Sequence, residues 1–136
     1  MVAKKKILVP IGLGARDLKG LHHAFSLAKR IPAVIFVLKF EPAPGEETQT
    51  IWLDETLSDL VNTARQAGLA VSYYTVQGGI EEEVIGFMRD KEIDLLVIGE
   101  EGEHLERALL QMRSPLPSQI LRVKKKGRTN KVVSSL

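Results

Sequence analysis

The stretch Ile93-Asp94-Leu95-Leu96-Val97-Ile98-Gly99-Glu100-Glu101-Gly102 constrains this chain more than any other. A short, unbroken apolar run, entered through an aspartate and ended by glycine, reads as a strand buried on both faces, the kind found in parallel sheets. Such a strand needs a neighbour on either side and helices above and below, so it predicts a central position. Gly99 and Gly102 let the backbone turn sharply at its carboxyl end, where open α/β sheets place their ligand crevice. Any small-molecule site is expected to start there.

The rest of the chain alternates between strand and helix periods. Lys4-Lys5-Lys6 opens into an aliphatic strand over residues 7–11, where Pro10 is awkward in a central position because it has no N–H for the ladder. A glycine-containing loop from Gly12 follows, and Asp17 is placed to cap a helix over residues 18–30 with Leu21, Ala24, Phe25, Leu27 and Ala28 on its apolar face. Pro32 stops it. The β-branched and aromatic run Ala33–Phe40 predicts a second strand. A loop with Pro42, Pro44, Gly45, Glu46 and Glu47 reads as the least structured part. Helical spacing resumes over residues 51–67 through Leu53, Leu57, Leu60, Val61 and Ala64, and Gly68 ends it. Residues 69–76 read as a third strand. Gly78-Gly79 turns into a helix over residues 80–91, whose first-turn acids Glu81, Glu82 and Glu83 complement the helix dipole. Past the central strand, residues 103–112 form an amphipathic pattern through Leu105, Ala108, Leu109 and Met112, interrupted by Ser114-Pro115-Leu116-Pro117. Residues 118–123 read as a last helical piece and residues 130–134 as a short closing strand. This alternation predicts a single α/β domain over residues 1–136, with an open, mainly parallel sheet joined by right-handed crossovers.

Composition narrows the function classes. Of 136 residues, 44% are hydrophobic and 26% charged, which suits one folded domain with one core. A net charge of +2 creates no global field toward nucleic acid or an anionic membrane, so neither is expected as a partner. The absence of cysteine excludes disulfides, thiolate metal sites and cysteine nucleophiles, and suits the cytoplasm. The apolar run after the basic start is too short for a signal peptide or a membrane span.

Three stretches, taken in order, carry a resemblance: Lys5-Lys6-Ile7-Leu8-Val9-Pro10, Gly78 just ahead of the acid-rich helix, and the run from Asp94 to Gly102. They resemble the universal stress protein family over most of the chain. The resemblance implies a five-stranded sheet in order 3-2-1-4-5 with helices on both faces, of the adenine nucleotide alpha hydrolase-like kind. It also implies a cytoplasmic homodimer paired through the closing strand, with Val132-Val133 at the contact. One branch of the family binds ATP and another does not. The ATP-binding branch carries an aspartate after the first strand, where this chain has Gly12 or Leu13. Its phosphate signature is glycine, two residues, glycine, nine residues, then glycine and a serine or threonine. Gly99 and Gly102 match the first half, but the count from Gly102 reaches Met112 and Arg113. Only a shifted alignment reaches Ser114, which precedes Pro115 and its missing N–H. Gly12, Gly99, Gly102, Arg113 and Ser114 are thus the degenerate ATP-site positions. The resulting expectation is a non-catalytic stress-response or regulatory module without a cofactor or tight ATP binding, acting through dimerisation and unidentified protein partners. The alternative is an adenine-nucleotide-binding protein with slow hydrolysis or phosphotransfer.

The turn from Gly99 to Gly102 reads either as an anion-binding nest or as a purely structural strand-to-helix turn. Glu100, Glu101, Glu103 and Glu106 crowd the phosphate segment, and a close like-charge pair costs about 4 kcal/mol at an effective dielectric of about 20. Arg16, Arg107 and Arg113 offset part of this. His22 and His23 diverge by about 100° on a helix and cannot share a metal, and His104 lies far from both in sequence. Ser114 and Ser118 lie near prolines, with no histidine at a telling offset, so no catalytic constellation emerges. Asp54, Glu55 and Asp59 read as a solvated helix face. The basic run Lys124-Lys125-Lys126-Gly127-Arg128 lacks interleaved aromatics for stacking on bases. Trp52 either sits over the crevice or packs on the sheet.

Overall fold

The computed structural model describes residues 4–12, 17–41, 47–99, 103–111, 118–123 and 131–133. In chain order the elements are β1 (Lys5–Ile11), α1 (Asp17–Ala28), β2 (Ala33–Phe40), α2 (Glu47–Gln66) and β3 (Ala70–Val76). They continue with α3 (Ile80–Asp90), β4 (Leu95–Ile98), α4 (Glu103–Leu110), β5 (Gln119–Arg122) and β6 (Lys131–Val133). The sheet runs β3-β2-β1-β4-β5-β6. Its first five strands are parallel in the expected order 3-2-1-4-5, and β6 lies antiparallel on β5. The apolar run that predicted a central strand is β4, flanked by β1 and β5.

Strand alternation divides the core into two layers. Ile7, Val9, Ile11, Ile35, Val37, Val71, Val97 and Leu121 point to one face, where Leu21, Ala24 and Phe25 of α1 and Leu57, Val61 and Ala64 of α2 cover them. Leu8, Leu38, Leu96, Ile98 and Ile120 point to the other, beneath Val84 and Met88 of α3 and Leu105 and Leu109 of α4. Most positions read as apolar helix faces are the ones that meet the sheet. Adjacent buried residues such as Leu96 and Val97 serve opposite layers, which is why the central run is unbroken rather than alternating.

Three expectations are corrected. Residues 118–123 are not helical: Gln119–Arg122 form β5, in register with Leu95–Ile98 of β4. Ser118 donates its hydroxyl to the Ile93 carbonyl at 2.5 Å and Gln119 N–H bonds the Asp94 carbonyl at 3.0 Å, so pairing with β4 fixes this segment as extended. The closing strand exists but is the sixth, and it occupies the outer edge of β5. Helix α2 starts at Glu47, four residues earlier than its apolar spacing indicates, inside the stretch read as least structured.

Candidate functional site

Strand order reverses at β1, which has β2 on one side and β4 on the other, so the topological switch point lies between the carboxyl ends of β1 and β4. The amino ends of these strands are tied tightly. Lys6 N–H donates to the Asp94 carboxylate at 2.8 Å, and Asp94 N–H donates to the Lys6 carbonyl at 2.9 Å. Those bonds also fix which way each β1 residue faces. Lys6 turns its backbone groups to β4, whereas Lys5 N–H donates to Pro32 on the β2 side, at 3.0 Å. By alternation Leu8 and Pro10 face β4. The ladder between the two strands runs through Ile7↔Leu95 and Leu8↔Leu96 and ends there. The next position able to donate toward β4 is the buried Pro10, which has no N–H. A proline is tolerated inside this central strand because its missing donor falls where the ladder stops. Pairing with β2 continues past it to Ile11↔Lys39.

Glycines finish both strands. Gly12, directly after β1, has φ of 132°, and a Cβ there would stand 3.0 Å from the Cβ of Phe40. Gly99, directly after β4, is buried. Gly20 of α1 backs onto this end of β4: a Cβ on it would meet Val97 Cγ1 at 3.6 Å and the Gly99 nitrogen at 3.8 Å. The fold therefore brings Gly12 and Gly99 to the switch point. Gly102, Arg113 and Ser114 lie outside the described residues, as do Glu100, Glu101 and Arg16.

The charges near the carboxyl ends are partly spoken for. Glu106 of α4 is buried at 8% exposure, and its Oε2 lies 3.5 Å from an Arg122 guanidinium nitrogen on β5. Its charge thus faces an opposite charge within the fold, while Oε2 makes no hydrogen bond. Lys39, at the carboxyl end of β2, is 6% exposed and forms an ion pair with Asp54 of α2. The solvated-face reading therefore holds for Glu55 and Asp59, which are exposed, and only in part for Asp54, whose half-exposed side chain pairs with Lys39. Nothing in the sequence marks this pair, because the partners are neither helical neighbours nor cross-strand neighbours. Near it, burial pushes the Tyr73 phenol above its ordinary value of 10.0, with Lys39 opposing and Asp54 and Glu41 adding to the rise. A cleft of about 440 Å³ is lined by Asp54, Glu55, Ser58 and Asp59. A second of similar volume lies at the opposite end of the sheet, between Lys5, Ile31, Asp94 and Gln119. Neither is at the switch point. Burial, with Arg30 nearby, holds His23 below its ordinary 6.5, while His22 and His104 are exposed. Among the described residues no three His, Asp or Glu side chains are grouped to hold a metal.

An open, doubly wound sheet with its switch point between β1 and β4, glycine at both strand ends and helices on both faces defines the class: a doubly wound α/β protein. The model of the universal stress protein family matches residues 4–112, and the chain belongs to that family. A universal stress protein of Methanocaldococcus jannaschii is 28% identical over 120 residues, covering 78% of this chain and 71% of the relative. The structure of a universal stress protein in complex with cAMP superposes with a TM-score of 0.63 at 17% identity, over 90% of this chain and 98% of that one. One from Archaeoglobus fulgidus in complex with dAMP gives 0.59 at 18% identity, over 91% and 98%. At those identities the two structures speak for the fold.

Proposed function

We propose that this chain is a non-catalytic stress-response or regulatory module that works as a cytoplasmic homodimer through protein partners, without tight ATP binding. The observation that carries the reading is Gly12. At the place where the ATP-binding branch has its aspartate, the backbone is in the left-handed half of φ space and Phe40 fills the direction a side chain would take. The residues present do not fit the nucleoside end of an ATP site of that kind, because the backbone as well as the side chain departs from it. Met112 and Arg113, in place of a glycine and a hydroxyl residue, support the same reading from the sequence. Each lost contact removes about 1–3 kcal/mol, so two together turn a micromolar site into a millimolar one. Equilibrium dialysis with labelled ATP and magnesium tests this. The expected dissociation constant is millimolar or weaker, and a value below about 10 μM, near −7 kcal/mol, overturns the proposal.

One observation favours a second reading. Two structural neighbours hold cAMP and dAMP, each with a single phosphate, and such ligands ask less of a phosphate cradle than ATP does. Under it the protein binds an adenine mononucleotide at the same switch point. Denaturing the protein as purified, without added ligand, then releases stoichiometric adenine nucleotide; under the leading reading it releases little.

A further inference from the structure

At the amino ends of the central strands the fold leaves a cleft of about 440 Å³, within the size range of small-molecule sites. Its origin lies in the path of the chain. Helix α1 packs on β1, β2 and β4 and ends at Ala28, after which the chain turns into β2, where the Pro32 carbonyl accepts Lys5 N–H at 3.0 Å. Because β2 and β5 lie on opposite sides of the β1–β4 pair, this turn departs away from the start of β5.

The lining has an apolar floor and a charged rim. Leu27 and Ile31 from the end of α1 and Leu95 from β4 are half-buried and form the floor. Lys5, Asp94 and Gln119 form the rim. By strand alternation Lys5 shares a face with Ile7, Leu95 with Val97 and Gln119 with Leu121, and all of these lie on the α1 side of the sheet. The anionic corner is fixed in advance. Asp94 Oδ2 accepts Lys6 N–H at 2.8 Å, while its main chain is bonded to the Lys6 carbonyl at 2.9 Å and to Gln119 N–H at 3.0 Å. Among the described residues Oδ1 accepts no hydrogen bond, and neither Asp94 nor Lys5 belongs to an ion pair. Opposite charges thus share one cleft without meeting each other. A carboxylate already held in place loses little freedom when a ligand arrives.

We infer that this cleft binds an aliphatic dipeptide as its zwitterion. The ligand ammonium donates to Asp94 Oδ1, the ligand carboxylate lies on the Lys5 ammonium, the Gln119 amide meets the peptide group, and the aliphatic side chains rest on Leu27, Ile31 and Leu95. A single free amino acid has no peptide group for Gln119 and fills less of the cleft. The site lies at the pole opposite the switch point, so it stands whether or not a nucleotide binds there.

Isothermal titration of the full chain with leucyl-leucine at neutral pH is the test, with an expected dissociation constant below about 1 mM. N-acetyl-leucyl-leucine, which lacks the ammonium, is expected to bind about tenfold more weakly, and it probes the Asp94 contact without disturbing the bonds Asp94 makes to Lys6. Leucyl-leucinamide, which lacks the carboxylate, is expected to lose about fivefold, as befits an exposed lysine partner. Glycylglycine, without an apolar body, is expected to lose about tenfold or more. Lys5→Met keeps the backbone donor and the apolar stem; it is expected to weaken leucyl-leucine about fivefold and to abolish its preference over leucyl-leucinamide. Ile31→Glu is expected to abolish binding, and if circular dichroism shows that variant unfolded, the Lys5→Met arm decides. In amide NMR spectra the largest shifts are expected at Ile31, Leu95 and Gln119. Absence of binding up to about 10 mM leucyl-leucine overturns the inference. Affinity indifferent to capping either end, or to Lys5→Met, overturns the zwitterion. Shifts centred on Gly12 and Gly99 place the ligand at the switch point and overturn the site.

Discussion

The two ends of the β1–β4 pair are built on opposite plans. At the amino end bonds tie the strands together: Asp94 clasps Lys6 through both its main chain and its carboxylate, its carbonyl takes the Gln119 N–H, and Ser118 ties β5 to Ile93. At the carboxyl end the ladder stops at Leu8↔Leu96, the next donor position is proline, and both strands end on glycine. One end is clasped across the strands, and at the other, the open pole, the β1–β4 pairing stops. The difference teaches that a doubly wound domain can concentrate cross-strand bonding at one pole of two strands and let it lapse at the other.

The contrast is broken most severely at the clasp. Asp94→Ala removes a charge-assisted bond and strands a part-buried Lys6 N–H, and is expected to destabilise the fold by about 2–3 kcal/mol. Urea denaturation measures this, and a loss under about 0.5 kcal/mol shows that the amino end is not the anchor. At the open pole, Gly12→Asp is expected to lose about 2 kcal/mol, because an L side chain is strained at this φ and meets Phe40, and to leave ATP affinity undetectable. Wild-type stability, or micromolar ATP binding, shows that the backbone at this end is not what excludes the aspartate. The smallest effect lies on α1, which spans the two poles. His23 is held below 6.5 in the folded state, so the unfolded chain takes up the proton first. Its contribution to stability is complete above pH 6.5 and declines as pH falls from there through the lowered folded value. A stability profile of His23→Gln should be flatter than wild type across that window, and parallel profiles sink the assignment.

The closed pole was more legible in the sequence than the open one. Runs such as 95–98 and Ala33–Phe40 announce buried strands by composition, and the apolar positions of α1, α2 and α3 announce their faces by spacing. Gln119–Arg122 did not, since a four-residue segment with two adjacent apolar side chains fits a helix and a strand equally, and only pairing with β4 decides between them. The start of α2 was obscured by Pro42, Pro44 and Gly45, whose loop signal was carried too far along the chain. Gly12 and Gly99 were legible as turn residues at the candidate site. The role of Pro10 was not, because it depends on which side of β1 each N–H faces, and that is set by Asp94, more than eighty residues away. The Lys39–Asp54 and Glu106–Arg122 pairs were hidden for the same reason: they are meetings of distant segments, not patterns within one.

Pro10 also bears on how such a protein changes over evolutionary time. The parting of β1 from β4 comes from an atom the main chain lacks, so no liganding side chain is needed to maintain it. Substitutions that change what the chain recognises then leave the end of the β1–β4 ladder where it is.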